Sequence, residues 1–253
     1  RLSDPFTNVP LKKTLVWASD KSIIRAAGQY FLGLALVQQR SAGGNIVYFR
    51  GAVTKTDAGP LYFPEVYFVK EPLAWWIFVA IALMVTLWYI AKIRFRRQRD
   101  HQAMTVVKRL KNWSLLHFTE IAMLLWLVIY WYISLTSKLN IGVRHLLPIY
   151  PFMIMLVSGR IAALIKKVKS PRKFYTLIFT LCILSGWYLV ENLRVFPHYL
   201  TYFNETVGGP TQGHKFVVDS NLDWGQDLKR LAQWVEKNNI DTIELDYFGW
   251  ADQ

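Results

Sequence analysis

The sequence is poor in two kinds of residue, and each shortage excludes a class of protein. Its 253 residues include a single cysteine, Cys182, which excludes a disulfide framework and any metal site built from several cysteines. Charged residues make up only 19% of the chain, against 53% hydrophobic residues, whereas a typical soluble domain carries about 25% charged residues. A chain this apolar can bury surface, so intrinsic disorder is excluded as well.

Acidic residues are scarce relative to basic ones. The chain has 30 Lys and Arg but only 17 Asp and Glu, which gives a formal net charge of +13. A surplus of this size is typical of proteins that bind nucleic acid or an anionic membrane surface. The positions of the charges along the chain decide between these two partners.

Four long segments lack the regularly spaced polar residues of a soluble amphipathic helix. A helix needs about 20 apolar residues to cross a bilayer. The segments that meet this requirement are residues 73–93, 115–135, 146–165 and 174–195. They predict a mainly α, polytopic membrane protein.

The basic residues concentrate in two short segments between these spans. Residues 92–111 hold eight Lys and Arg against one Asp, and residues 166–173 hold five with no acid. Short positively charged loops remain in the cytoplasm, so residues 1–72, 137–145 and 197–253 are predicted on the outer face. The net charge is therefore an orientation signal that favours membrane lipids as partners and argues against nucleic acid.

The two longer outer-face segments differ in character. Residues 22–40 place apolar side chains at helical spacing but are too short to span, which predicts a helix lying in the headgroup plane. Within residues 197–253, the hydrophobic periodicity predicts a strand at 215–218, a helix at 223–237 and a strand at 242–247. A small α/β tail is therefore expected after the last span.

Two of the charged residues in the predicted spans lie away from the outer ends, where a side chain could reach water. Glu120 and Arg160 each lie about five residues from the inner end of a span, which corresponds to roughly 8 Å of depth. Unpaired charges at that depth are costly. The sequence therefore predicts that Glu120 and Arg160 form a structural ion pair.

Acidic and amide side chains alternate in the tail at Asp219, Asn221 and Asp223. The spacing suggests a calcium loop, but Gly225 stands one place too late for an EF-hand and Arg230 replaces its bidentate Glu. Two interpretations remain open. Asn221 or Asp223 caps the helix that follows, or the three residues contact an acceptor or a divalent metal.

Three basic residues stand next to the outer ends of predicted spans. Lys70 precedes the first span, and Arg144 and His145 stand at the mouth of the third. The planar fork of donors on arginine suits a phosphate group. An equally open interpretation is that these residues anchor the span ends at the headgroups.

Three sequence blocks together resemble bacterial glycosyltransferase family 39 membrane proteins, relatives of the protein mannosyltransferases and the aminoarabinose lipid A transferases. The blocks are YFPEVYFVKEPLAWW at 62–76, IGVRHLLPIYPF at 141–152, and the segment from YFNETVGGP to LAQWV at 202–235. The resemblance implies a GT-C-like bundle of transmembrane helices. It also implies a transferase of the bacterial inner membrane, in preference to the endoplasmic reticulum. Such enzymes pass a sugar from a polyprenyl-phosphate carrier to a protein or glycolipid acceptor on the outer face.

The resemblance also indicates which functional residues to expect. The acidic catalytic residues of the family lie in the first outer loop of the full protein, and no matching stretch occurs here. We therefore expect this chain to be a C-terminal fragment, inactive alone and without a catalytic residue. Lys70, Arg144 and His145 are the candidates for contact with the carrier phosphate, and a divalent metal is a further candidate partner.

Two other functions fit the same features. The first is a transporter or flippase for a lipid-linked anion, although the four spans show none of the internal repeats that are common in transporters. The second is a non-catalytic membrane subunit whose acidic tail binds a partner. An acidic pair in an upstream outer loop would favour the transferase over both.

Overall fold

The computed structural model describes residues 12–97 and 112–245, and these residues are mostly helical, as the sequence predicts. The α-helices are α1 (Lys12–Ser19), α2 (Arg25–Gly43), α3 (Tyr62–Lys70), α4 (Leu73–Arg97), α5 (Phe118–Thr136), α6 (Tyr150–Lys167), α7 (Pro171–Arg194) and α8 (Leu228–Lys237). Strands β1 (Val47–Phe49) and β2 (Ala52–Thr54) form an antiparallel hairpin. A 3-10 helix, Val143–Ile149, leads directly into α6.

Four helices are long and apolar enough to cross a membrane, which confirms the four predicted spans. They cover Leu73–Lys92, Phe118–Thr136, Val143–Lys167 and Pro171–Arg194. The third span begins three residues earlier than predicted, because the 3-10 helix extends it. At most 17% of the apolar stretch of each span is buried within the chain, as expected for helices whose side chains face lipid.

The helix predicted at residues 22–40 is present as α2, which packs against α1. Tyr30, Phe31 and Leu34 are large apolar side chains of α2 that remain exposed. An exposed apolar surface on a helix too short to span fits the headgroup plane. That position remains a prediction.

The prediction of an α/β tail is wrong for the described residues 197–245, because residues 215–218 do not form the predicted strand. The chain forms a short 3-10 helix at Gly213–Lys215, and Val217 makes only an isolated bridge to Phe49. The amides of Phe216 and Val217 both donate to the Gly213 carbonyl. These local bonds replace the inter-strand bonds that a sheet would need.

The other two tail elements also differ from the prediction. The helix expected from residue 223 begins at Leu228, because the Asp223 carboxylate accepts a hydrogen bond from the Gly225 amide at 2.8 Å and closes a turn first. Residues 242–245 form no regular element. The end of the strand predicted at 242–247 lies outside the described residues.

The buried apolar core lies at one end of the helix bundle, here called the core end. Its side chains come from five separate segments: Val47 and Phe49 of β1; Tyr62, Phe63, Val66, Tyr67 and Val69 of α3; Leu127 of α5; Leu146 and Ile149 of the 3-10 helix; Phe203 and Val217 of the tail. A fully buried large apolar side chain contributes about 1.5–3 kcal/mol. The core therefore fastens the first and the last of the segments predicted on the outer face to each other and to the start of the third span.

The opposite end of the bundle, here called the basic end, carries residues 166–173. Lys167 of α6 places its Nζ atom 3.7 Å from the ring centre of Trp88 in α4, which joins the ends of these two helices. Most of the other basic segment, residues 92–111, lies outside the described residues. The charge pattern predicts that the end of the first span and the end of the third lie together, and the contact between Trp88 and Lys167 agrees with this.

The two charges inside the spans lie next to each other. Arg160 Nη2 of α6 is 3.7 Å from Glu120 Oε1 of α5, and His117 Nδ1 is also 3.7 Å from that oxygen. About a third of each charged side chain is exposed within the chain, 35% for Glu120 and 29% for Arg160. The geometry matches the ion pair that the sequence predicts.

Charge reversal tests this pair. Glu120→Lys places two cations together in the spans, so we expect the yield of protein extracted from membranes to fall severalfold. Glu120→Lys combined with Arg160→Glu restores opposite charges and is expected to recover most of the yield. A double variant no better than Glu120→Lys alone would contradict the pairing.

Candidate functional site

Asn221 joins three segments of the core end that are far apart in the sequence. Its Oδ1 accepts a hydrogen bond from the Val143 amide at 3.1 Å, and its Nδ2 donates to the Tyr62 hydroxyl at 3.1 Å. Its backbone carbonyl accepts a hydrogen bond from Lys70 Nζ. Asn221 is only 1% exposed, so these bonds are shielded from water.

The segment before the third span fits closely against the turn Asp219–Asn221. Gly142 has a φ of +102°, and a Cβ atom on it would lie 2.9 Å from Ser220 Oγ. The Ser220 hydroxyl donates to the Ile141 carbonyl. Glycine is required here by both the backbone conformation and the close approach.

Lys70 is half-buried at the end of α3 and is held by backbone groups. Its Nζ donates to the carbonyls of Leu200, at 2.8 Å, and Asn221, and lies 3.7 Å from the ring centre of Phe203. Burial lowers the pKa of Lys70 to about 7. Two of its three possible donors are committed to the tail, so the observed role of Lys70 is to tie the tail to α3. Its contact with a carrier phosphate remains a prediction.

Arg144 lies at the rim of the same junction, with its guanidinium 3.7 Å from the ring centre of Trp224. Trp224 is 52% exposed, so the stacked pair faces the surroundings. Among the described residues, no acceptor binds the guanidinium N–H groups. Stacking on an aromatic ring orients the planar fork and leaves its edge directed at other groups.

His145 follows in the 3-10 helix and is half-buried. Its ring lies 6.5 Å from the ring of Phe63, and its backbone carbonyl accepts a hydrogen bond from the Tyr130 hydroxyl of α5. Arg144 and His145 are therefore brought to one junction with Asn221. Lys70 reaches that junction from the core side.

Asp219 borders a cavity of about 220 Å³ between the hairpin and the tail. Tyr62 and Asn140 line the same cavity. Burial raises the pKa of Tyr62 to about 12, so its hydroxyl stays protonated at neutral pH. Asp219 has a φ of +61°, a conformation that Asp tolerates better than most residues.

The capping interpretation of the acidic turn is wrong for the helix it was predicted to serve. Asp227, and neither Asn221 nor Asp223, precedes α8, and it makes no side-chain cap bond. Asn221 instead accepts from Val143, the first residue of the 3-10 helix that opens the third span. Asn221 thus accepts a helix N–H group, but from a residue 78 positions away in the sequence, and it is not the N-cap residue of that helix.

The described residues give no metal centre at this turn. No group of three or more His, Cys, Asp or Glu side chains within residues 12–97 and 112–245 is arranged to hold a metal ion. Both ends of the Asn221 amide are already hydrogen-bonded. Asp219 and Asp223 remain the candidates for contact with an acceptor.

Sequence reasoning missed Glu71, which is 8% exposed and lies two residues before the first span. Burial raises the pKa of Glu71 to about 7, and the Tyr150 hydroxyl partly offsets that rise. A titratable carboxyl group therefore lies directly after Lys70. Its position between a lysine and a proline before a long apolar run was the only available signal.

Comparison of this chain with protein-family models, with curated proteins and with solved structures finds no match. The residues at the core end are therefore the basis of the functional proposal.

Proposed function

We propose that this chain is part of a membrane glycosyltransferase that takes a sugar from a polyprenyl-phosphate carrier. The core end faces the outer side of the membrane in this proposal, and the acceptor is a protein or a glycolipid. The observation that supports it is the convergence of three separate segments on one junction, where the half-buried Arg144 stacks on the exposed Trp224.

The chemistry of such a transfer explains why an arginine is needed at that position. When the bond between the sugar and the carrier phosphate breaks, negative charge develops on the departing phosphate. A guanidinium with uncommitted N–H groups stabilises that charge through paired hydrogen bonds. Arg144 lies at the start of a span, where the phosphate of a lipid carrier would meet the membrane surface.

The buried residues behind Arg144 have a positioning role. Asn221 holds both the segment that carries Arg144 and the turn that leads to Trp224. Lys70 ties that turn to α3. The acceptor hydroxyl must lose a proton as it attacks the sugar, and the family resemblance assigns that step to an acidic residue upstream.

Sugar transfer by the full-length protein tests the proposal. Purified protein in liposomes would be given undecaprenyl-phosphate carriers bearing labelled mannose or labelled aminoarabinose. We expect Arg144→Ala to lower kcat/KM about 100-fold, because one charge-assisted donor group to the developing charge is lost. Arg144→Lys, which keeps the charge without the fork, is expected to lose about tenfold.

Lys138→Ala is the matched control, because it removes an exposed cation from the same loop and is expected to change transfer less than twofold. Wild-type transfer by Arg144→Ala would exclude the role assigned to Arg144. Absence of transfer with intact binding of undecaprenyl phosphate would favour the transporter alternative.

A further inference from the structure

The basic end of the bundle contains a cavity of about 520 Å³ between α4, the end of α6 and the start of α7. Its wall has an apolar part and a cationic part. The apolar part includes Met84, Val85 and Leu164, and the cationic part consists of Lys167, Lys169 and Lys173. This cavity is at the opposite end of the spans from the candidate functional site.

The cationic part of the wall is partly fixed in place. Lys167 Nζ lies 3.7 Å from the ring centre of Trp88 and 3.9 Å from that of Tyr89, so two cation–π contacts hold it. Lys169 and Lys173 are exposed at the rim. Helix α7 begins at Pro171 on the same rim, so the positive end of its dipole adds to the lysine charge.

The two parts of the wall together indicate the class of ligand. A soluble anion would satisfy the lysines but leave the apolar wall uncovered, and a neutral lipid would cover the apolar wall but leave three lysines without a counter-charge. Basic pockets between transmembrane helices are suited to anionic lipid headgroups. We propose that this cavity binds an anionic phospholipid. Its phosphate contacts Lys169 and Lys173, and an acyl chain covers Met84, Val85 and Leu164.

This inference goes beyond the transferase proposal and does not depend on it, because it uses different residues at the other end of the bundle. It requires only that the spans lie in a bilayer that contains anionic lipid. The negative charge of the cytoplasmic leaflet then supplies the ligand at the end where the positive loops are predicted.

Native mass spectrometry of the full-length protein in detergent tests the site, with dioleoyl phosphatidylglycerol as the probe and dioleoyl phosphatidylcholine as its neutral match. A lysine near a membrane surface contributes about 1 kcal/mol to the free energy of binding to anionic lipid. Lys169→Gln with Lys173→Gln is therefore expected to weaken phosphatidylglycerol binding roughly 30-fold. Phosphatidylcholine binding to the wild type is expected to be weaker still and unchanged by these substitutions.

The matched control removes the same charge from the same basic segment, residues 166–173, at positions outside the cavity. Lys166 and Arg172 are exposed and do not line the cavity, so Lys166→Gln with Arg172→Gln is expected to weaken binding less than threefold. Equal losses in the two double variants would mean diffuse attraction to the loop and would overturn the proposal. No loss in either would overturn it as well.

The apolar wall has its own test. Leu164→Trp fills that part of the cavity while every lysine remains, and we expect it to weaken phosphatidylglycerol binding at least severalfold. sn-Glycerol 3-phosphate, the soluble headgroup alone, is expected not to displace the lipid at equal concentration. Displacement by this compound would reassign the site to a soluble phosphate. If the double lysine variant does not fold, Lys173→Gln alone is expected to weaken binding about fivefold, and unchanged binding would count against the site.

Discussion

Asn204→Ala is expected to destabilise the core end more than any other single truncation in the tail. Asn204 is 0% exposed, and its Nδ2 donates to the carbonyls of Phe68, at 2.8 Å, and Glu71, at 3.0 Å. Its backbone amide donates to the Val69 carbonyl. These acceptors belong to the end of α3 and the residue after it, where carbonyls have no partner within the helix.

The size of the effect follows from the groups that lose their partners. Phe68 keeps the Trp76 indole as a donor, but the buried Glu71 carbonyl loses the donor that the Asn204 side chain supplies. The Thr206 amide, which donates to Asn204 Oδ1 at 3.1 Å, also loses its partner, but Thr206 is exposed and can bond water. An unsatisfied buried polar group costs about 1–3 kcal/mol. We expect a loss on the order of 3 kcal/mol, seen as a melting temperature several degrees lower and as faster proteolysis of residues 197–245.

Asn238→Ala is the control for this substitution. Asn238 also donates to a backbone carbonyl, that of Trp234 at 2.7 Å, but it is exposed, so its loss should change the melting temperature little. Asn204→Asp keeps the acceptor for Thr206 and places an oxygen opposite two carbonyls, so we expect it to be at least as damaging as alanine. A harmless Asn204→Asp would contradict the assigned direction of the bonds to α3.

The same burial bears on protein modification. Asn204, Glu205 and Thr206 form an N-glycosylation sequon, yet the amide nitrogen that would carry the sugar is fully covered and already donates to two carbonyls. We therefore expect no glycan on Asn204 of the folded protein.

Glu71→Gln is expected to stabilise the protein at pH 8 and to have little effect at pH 4.5. Burial raises the pKa of Glu71 in the folded protein to about 7, from an ordinary value near 4.3 in the unfolded chain. The folded state thus holds the proton more tightly. The contribution of this tighter proton binding to the free energy of unfolding is complete below about pH 4.3 and is lost as the pH rises to about 7.

A glutamine mimics the protonated carboxyl group at every pH, so the variant escapes this loss. A shift of this size corresponds to about 3 kcal/mol, and the melting temperature of Glu71→Gln should exceed that of the wild type by several degrees at pH 8. Lys70 titrates in the same range because burial lowers its pKa to about 7. Comparing the melting temperatures of the variant and the wild type at the same pH removes most of the contribution of Lys70, because Lys70 titrates in both proteins.

Glu236→Gln, at an exposed position of α8, is the control and should shift the melting temperature equally little at both pH values. A difference between Glu71→Gln and wild type that is the same at pH 4.5 and pH 8 would rule out titration of Glu71 as its cause.

The spans could be predicted from the sequence because their signal is local. A run of about 20 apolar residues is sufficient for a membrane helix whatever its neighbours are, and a lysine-rich loop marks its own end of the bundle. The pairing of Glu120 with Arg160 is also predictable from the sequence, because a charge inside a span is costly unless it has a partner.

The core end could not be predicted in the same way, because its signals depend on residues distant in the chain. Apolar and acidic residues alternate at 242–247, as in a half-buried strand, but a strand also needs a neighbouring strand to pair with. Asn221 has the side chain of a helix cap, and no local feature shows that it serves Val143 instead of α8. The roles of Asn204 and Glu71 could not be assigned from the sequence, because they come from burial against each other's segments.

The position of the core has a consequence for assembly. Phe49 and Val217, which meet in an isolated bridge, are separated by all four spans. A chain released into the membrane as far as the end of α7 would have every helix needed for insertion and none of the Phe203 and Val217 side chains that complete the core. Because synthesis runs from the N-terminus, the closing of the core is delayed until the tail that follows the last span has been made.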